Sequence, residues 1–211
     1  MLARYRRLLH HAASGDLLAK VELGRMYMYG WGVQKDYKKA LSLLWEAAKQ
    51  DHPVAQQALG YFYASGYAFE PDNDFTFFWF RRAAKNGMVL SMFNIGTAYE
   101  KGLGVQKNLV AAHAVFHSLS QDQSLSRRGD AQDRAIALSK HLTPNELQKS
   151  ILLSEVVYRD GGLVPAEIDK MTGDKRFVFE DHEPKGFEIG MAVDKLALIS
   201  MRVEREISMI K

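Results

Sequence analysis

Apolar residues recur at steps of three and four through much of the chain, the spacing that lays one greasy stripe along a helix. Ala19, Leu23 and Tyr27 form one such stripe, and the same stripe returns at Ala55, Leu59 and Tyr63 and again at Ser91, Ile95 and Tyr99. The step between copies is 36 residues (60 − 24 and 96 − 60), read most clearly from Gly24, Gly60 and Gly96. A second glycine keeps the same beat at Gly30, Gly66 and Gly102, and a polar residue does so at Asp36, Asp72 and Asn108. Ala47-Ala48 and Ala83-Ala84 also match, whereas the third copy has Leu119-Ser120. Self-similarity at such a period marks repeated supersecondary units, each unable to bury its apolar face alone.

Each unit reads as two helices. Helix A is predicted over residues 19–29, 55–65 and 91–101, and helix B over residues 37–50, 73–86 and 109–120. A glycine inside helix A costs about 1 kcal/mol relative to alanine, so its return implies close approach of a neighbouring helix. The glycine three residues after each tyrosine suits the left-handed position that ends a helix. Asp36, Asp72 and Asn108 suit the N-cap of helix B, where a side-chain oxygen accepts from an orphan amide.

Residues 5–14 fit an additional helix B ahead of the first repeat, and residues 130–142 read as helical behind the third. Thr143-Pro144-Asn145-Glu146 has the form of a capping box with proline at the first helical position, opening a helix to about Tyr158. These flanking helices are expected to close the two ends of the stack. The domain reading is therefore a solenoid over residues 1–158, with repeats at about 16–50, 52–86 and 88–120, and an appendage over residues 159–211. In that appendage residues 176–180 and 187–193 read as a hairpin. The last stretch alternates like a strand, yet Leu196, Ile199, Val203, Ile207 and Ile210 also make a helical face; a small β-meander is the favoured reading.

Composition adds bounds. The 211 residues are 47% hydrophobic and 25% charged, enough to bury a core. A net charge of +3 is too small for a nucleic-acid footprint, and no cysteine is present for a disulfide or a thiolate metal site. No apolar run reaches the roughly 18–20 residues needed to span a bilayer. The first residues carry positive charge without an apolar core of a signal peptide. With Met1 as the natural start, a cytoplasmic protein without membrane insertion is expected.

The landmarks resemble the Sel-one-like repeat family, relatives of the tetratricopeptide repeats. Residues 19–40 read A-KVE-L-G-RM-Y-MY-G-W-G-V-QK-D-YKK-A, which meets every named position of the family pattern in that stretch. Leu43 replaces the family tryptophan in repeat one, and Trp79 occupies it in repeat two. Repeat two departs at its loop, with Gly66-Tyr67-Ala68-Phe69; repeat three restores Gly102-Leu103-Gly104-Val105. The resemblance covers about residues 5–157. It implies an all-α repeat region built as a right-handed α/α solenoid, and a bacterial adaptor or scaffold that holds a partner protein on the concave face lined by helix A. Fold alone does not settle function.

By analogy with the tetratricopeptide groove, the candidate partner-binding residues are Arg25, Tyr29, Gln57, Tyr61, Phe93, Thr97, Glu100 and Lys101. Val21, Met28, Ala64 and Ser65 share those helix positions. Tyrosine and arginine are frequent anchors of binding hot spots. Leu23, Tyr27, Leu59, Tyr63, Ile95 and Tyr99 read as core. Trp45 either lies at the surface or packs on a flanking helix.

Chemical signals are weak. His113 and His117 stand one helical turn apart and could share a metal, but no H-E-x-x-H pattern or third ligand accompanies them, so they read as two polar helix residues. His10-His11 point apart as neighbours in a helix. Arg4, Tyr5, Arg6 and Arg7 form a small basic patch that reads as a solvated face. Asp181-His182-Glu183 sits in a turn of the appendage. No phosphate-cradling glycine loop or nucleophile elbow is present. The expectation is a non-enzymatic protein with no cofactor and no nucleic-acid partner. An immunity or regulatory protein blocking a toxin or enzyme is the rival within the binding class. A metal-dependent or hydrolytic enzyme using the tail is the rival from another class. The tail could also mediate a homodimer.

Overall fold

The structure, a computed structural model, describes residues 2–66, 70–159 and 162–163. Those residues fall into two compact units, one built on residues 2–72 and the other on residues 73–163. The sequence readings over 164–211, including the hairpin, the meander and Asp181-His182-Glu183, lie outside the described residues.

The first unit contains α1 (Leu2–Ala13), α2 (Leu17–Tyr29), α3 (Tyr37–Ala48) and α4 (Pro53–Ala64). Each helix packs on the one before it, and α2 also meets α4. Helix A starts two residues earlier than its stripe predicts, for local reasons. Asp16 caps α2 by accepting from the amides of Leu18 at 2.9 Å and Ala19 at 3.2 Å. Pro53 opens α4, where its fixed φ suits the first helical position. Ala12, Ala19, Leu23 and Met26 form a buried cluster, with Tyr5, Leu8, Val33 and Leu43 packed around it.

The second unit contains α5 (Asn73–Lys85), α6 (Val89–Lys101), α7 (Leu109–Gln121), α8 (Arg128–Ser139) and α9 (Pro144–Val157), followed by two short strands, β1 (Tyr158–Arg159) and β2 (Gly162–Leu163). Tyr158 pairs with Leu163 and Arg159 with Gly162, antiparallel. α7 is the hub, packed by α6, α8 and α9. Phe77, Met92, Ile95, Tyr99, Val115 and Phe116 centre the unit's core. Each such side chain stabilises the fold by roughly 1.5–3 kcal/mol relative to exposure.

The period of 36 has a hydrogen-bond basis. The amides of Asp36, Asp72 and Asn108 donate to the carbonyls of Tyr27, Tyr63 and Tyr99 at 3.0, 3.1 and 2.9 Å, closing the same turn three times. Asp36 and Asn108 then cap helix B, accepting from the amides of Lys39 and Ala111, both at 2.9 Å. Gly30 and Gly102 end helix A at φ +75° and +74°, the left-handed region where a Cβ is strained. The glycines inside helix A admit a neighbour: a Cβ on Gly24 would lie 2.7 Å from Leu44 Cγ, and one on Gly96 2.8 Å from Phe116 Cζ.

One core expectation changes, and the alternatives left open for Trp45 narrow. Tyr27 is only partly buried; its hydroxyl shares a 2.6 Å hydrogen bond with that of Tyr5. Trp45 is buried, together with the family-position Trp79.

Candidate functional site

In the first unit the candidate face of α2 is open. Arg25 is exposed, and its guanidinium sits 5.3 Å above the ring of Trp31. Trp31 remains 50% exposed and stacks on Tyr29, with centroids 4.7 Å apart and planes 29° from parallel. Gly30 at φ +75° and Gly32 at φ +71° hold Trp31 on the turn just beyond the helix. The result is a ledge of arginine, tryptophan and tyrosine facing solvent. Sequence reasoning used Gly30 as the glycine that ends helix A and passed over Trp31 beside it. The available signal was a large ring between two left-handed glycines, a place with little core to enter. On the neighbouring α4, Tyr61 is exposed and Gln57 half-buried, with Ala64 and Ser65 exposed beside them. Val21 and Met28, which share the helix positions, are buried.

In the second unit the equivalent face of α6 is covered in part. Phe93 is only 8% exposed. Arg127 lies 4.0 Å above its ring, and Arg134 of α8 lies 5.5 Å from it and 4.7 Å from Phe116. Phe93 meets Phe116 edge to face at 5.1 Å. Arg134 also donates to Thr97 Oγ1 at 2.9 Å and forms an ion pair with Glu100. Thr97 in turn donates to the Phe93 carbonyl at 3.0 Å. Lys101 stays exposed at the helix end. Neither Arg127 nor Arg134 stood out in the sequence, because α8 lies outside the repeat and carries no periodic landmark.

The two histidines of α7, read from the sequence as two polar helix residues, pack against α9. His113 is buried, and the two rings stack with centroids 5.6 Å apart and planes 20° from parallel. Ser150 and Ser154, one turn apart on α9, meet them: Ser150 Oγ is 2.8 Å from His113 Nδ1, and Ser154 Oγ is 3.0 Å from His117 Nδ1. Burial, with His117 beside it, pushes the His113 imidazolium down to about 4. His10 and His11 are both exposed, and Arg4 of the basic patch pairs with Glu22. Among the described residues no group of three or more His, Cys, Asp or Glu is placed to hold a metal, and no helix is long and apolar enough to cross a membrane.

Consecutive helical hairpins closed by the same turn define an α/α solenoid repeat protein. A family model described as Sel1 repeat matches residues 17–52, 53–88 and 89–114. The crystal structure of a Sel1 repeat protein from Oxalobacter formigenes is 32% identical at a TM-score of 0.52, covering 63% of this chain and 96% of that one. The chain belongs to the Sel1 repeat family, whose members are generally protein–protein interaction scaffolds. A protective antigen of uropathogenic Escherichia coli strains, displaying an SLR fold, superposes at a TM-score of 0.53 over 87% of this chain and 45% of that one. At 21% identity that likeness concerns the fold alone. DAP3-binding cell death enhancer 1 of Rattus norvegicus is 40% identical over 72 residues, 34% of this chain. The chain covers 14% of that protein's length.

Proposed function

We propose that the protein is a non-enzymatic adaptor that captures a segment of another protein on the helix-A faces of its repeats, anchored on Arg25, Tyr29, Gln57 and Tyr61. The observation that carries the reading is the exposed stack of Arg25, Trp31 and Tyr29. Large, stiff aromatics lose little entropy when they are covered, and arginine on an aromatic face keeps its donors free for a partner carboxylate or carbonyl. A monomer gains only about 0.5–1 kcal/mol from such an exposed cation–π pair, so the arrangement suits recognition better than stability. The rat relative, whose name records binding to another protein, is in keeping with this reading. In the second unit Phe93, Thr97 and Glu100 would act through the α8 surface that covers them, with Lys101 at its margin.

The test is affinity capture with the full chain as bait, comparing it with a variant carrying Arg25→Ala, Trp31→Ala and Tyr61→Ala. A specific prey protein recovered by the wild-type chain should be lost from the variant, with circular dichroism unchanged. Recovery of the same prey at the same yield by the folded variant would overturn the reading.

A further inference from the structure

The stacked histidines of α7 serve no purpose in that reading, and the hydrogen bonds around them fix a chemical state. Ser150 Oγ lies 2.8 Å from the carbonyl of Leu147, and Ser154 Oγ lies 2.6 Å from the carbonyl of Ile151. Two oxygens that close need a proton between them, and a carbonyl has none to give. Each serine therefore donates its one proton to its own helix. Its oxygen is left to accept from the histidine, so Nδ1 of both His113 and His117 carries a proton. In a neutral imidazole the lone pair is then on Nε2. The same rings line a cavity of about 400 Å³ between α7 and α8. Gln121, one turn beyond His117 on α7, lines it too, and its amide nitrogen already donates to Ser120 at 3.3 Å. Its carbonyl oxygen is thereby left as an acceptor.

We propose that His113 and His117 bind a late first-row divalent cation, such as zinc, through Nε2 at the wall of this cavity, with Gln121 and water completing the coordination. Imidazole suits such ions, and metal-binding histidines characteristically donate their other ring nitrogen to an oxygen that fixes the tautomer. Here two serines on a second helix do so for both rings at once. One turn of helix separates the ligands, so a small tilt of each ring brings both nitrogens toward one ion. Arg128, Gln132 and Ser139 line the cavity from α8, a wall suited to water or an anion on the remaining coordination positions. The site is independent of the Arg25 ledge.

Zinc titration of the untagged full chain by calorimetry at neutral pH is the direct test. One ion per chain should bind to the wild type. His117→Gln, at a half-buried position, should lower affinity at least tenfold while helicity is retained. Ser154→Ala should weaken binding about tenfold to a hundredfold, which a purely structural serine would not do in a folded protein. The His10→Gln, His11→Gln double variant should bind as the wild type does. Long-range nitrogen-15 correlation spectra of the metal-free chain should show the Nδ1–H tautomer at both rings. No binding at millimolar zinc, full binding by His117→Gln, loss of binding with His10 and His11, or an Nε2–H tautomer at either ring would each overturn the proposal.

Discussion

The face of α2 in the first unit and the face of α6 in the second occupy the same register of the same repeat, yet they end differently. On α2 Arg25 stands in solvent above Trp31, which stacks on the half-buried Tyr29. On α6 Thr97, at the position of Arg25, is held by Arg134, while Lys101, at the position of Tyr29, stays exposed; Phe93 lies beneath Arg127 and Arg134. The turn after α6 presses on the start of α5, where a Cβ on Gly104 would stand 2.0 Å from the Asn73 carbonyl oxygen. A repeat sets where a side chain points, but the helices around it decide whether that side chain is available.

Four substitutions can break or sharpen the contrast. The largest effect is expected from Gly104→Ala, which combines a φ of +68° with that backbone clash. It should cost at least about 3 kcal/mol in the second unit, read as lost hydrogen-exchange protection in α5 and α6 while α2 keeps its own. Arg134→Ala is expected next. It leaves Glu100, only 29% exposed, without its ion pair and uncovers Phe93. A loss of about 2 kcal/mol follows from charged hydrogen bonds of this kind, measurable by urea denaturation. Lost protection confined to α6, α7 and α8 would bear out the covering role, and an unchanged midpoint would refute it.

Arg25→Ala is the counterpart in the first unit. Stability should stay within about 0.5 kcal/mol, since the guanidinium is exposed and lies over an exposed ring. Equal losses for Arg25→Ala and Arg134→Ala in the same denaturation series would erase the distinction between the faces. The smallest effect belongs to the α9 cap, which braces α7 in the second unit only. Hydrogen bonds from the Thr143 amide and hydroxyl hold the Glu146 carboxyl below the usual carboxylate range. A depressed folded value means the contribution is complete above the unfolded carboxylate pKa and disappears as pH falls through the folded one. Glu146→Gln should therefore flatten a slight acid-side slope in stability that the wild type shows.

The capping box at Thr143–Glu146, the caps at Asp36 and Asn108 and the helix-ending glycines were all legible in the chain and stand where they were read. Trp31 was visible but passed over, because a helix-ending glycine says nothing about which way the next aromatic ring falls. Tyr27 was read as core from its period, yet its hydroxyl shares a hydrogen bond with that of Tyr5 and stays partly wet.

What the chain determined unaided is the helical hairpin and its beat of 36, because stripes, caps and left-handed glycines act over three or four residues and need no distant partner. What only the tertiary structure decided is which helix-A side chains are covered and what the α7 histidines pack against. Arg134 reaches Thr97 from 37 positions away, and Ser150 and Ser154 reach His113 and His117 across the same separation. Those contacts come from α8 and α9, outside the period. The physical reason is that exposure and proton placement belong to pairs of surfaces, and a periodic sequence specifies only one surface of each pair.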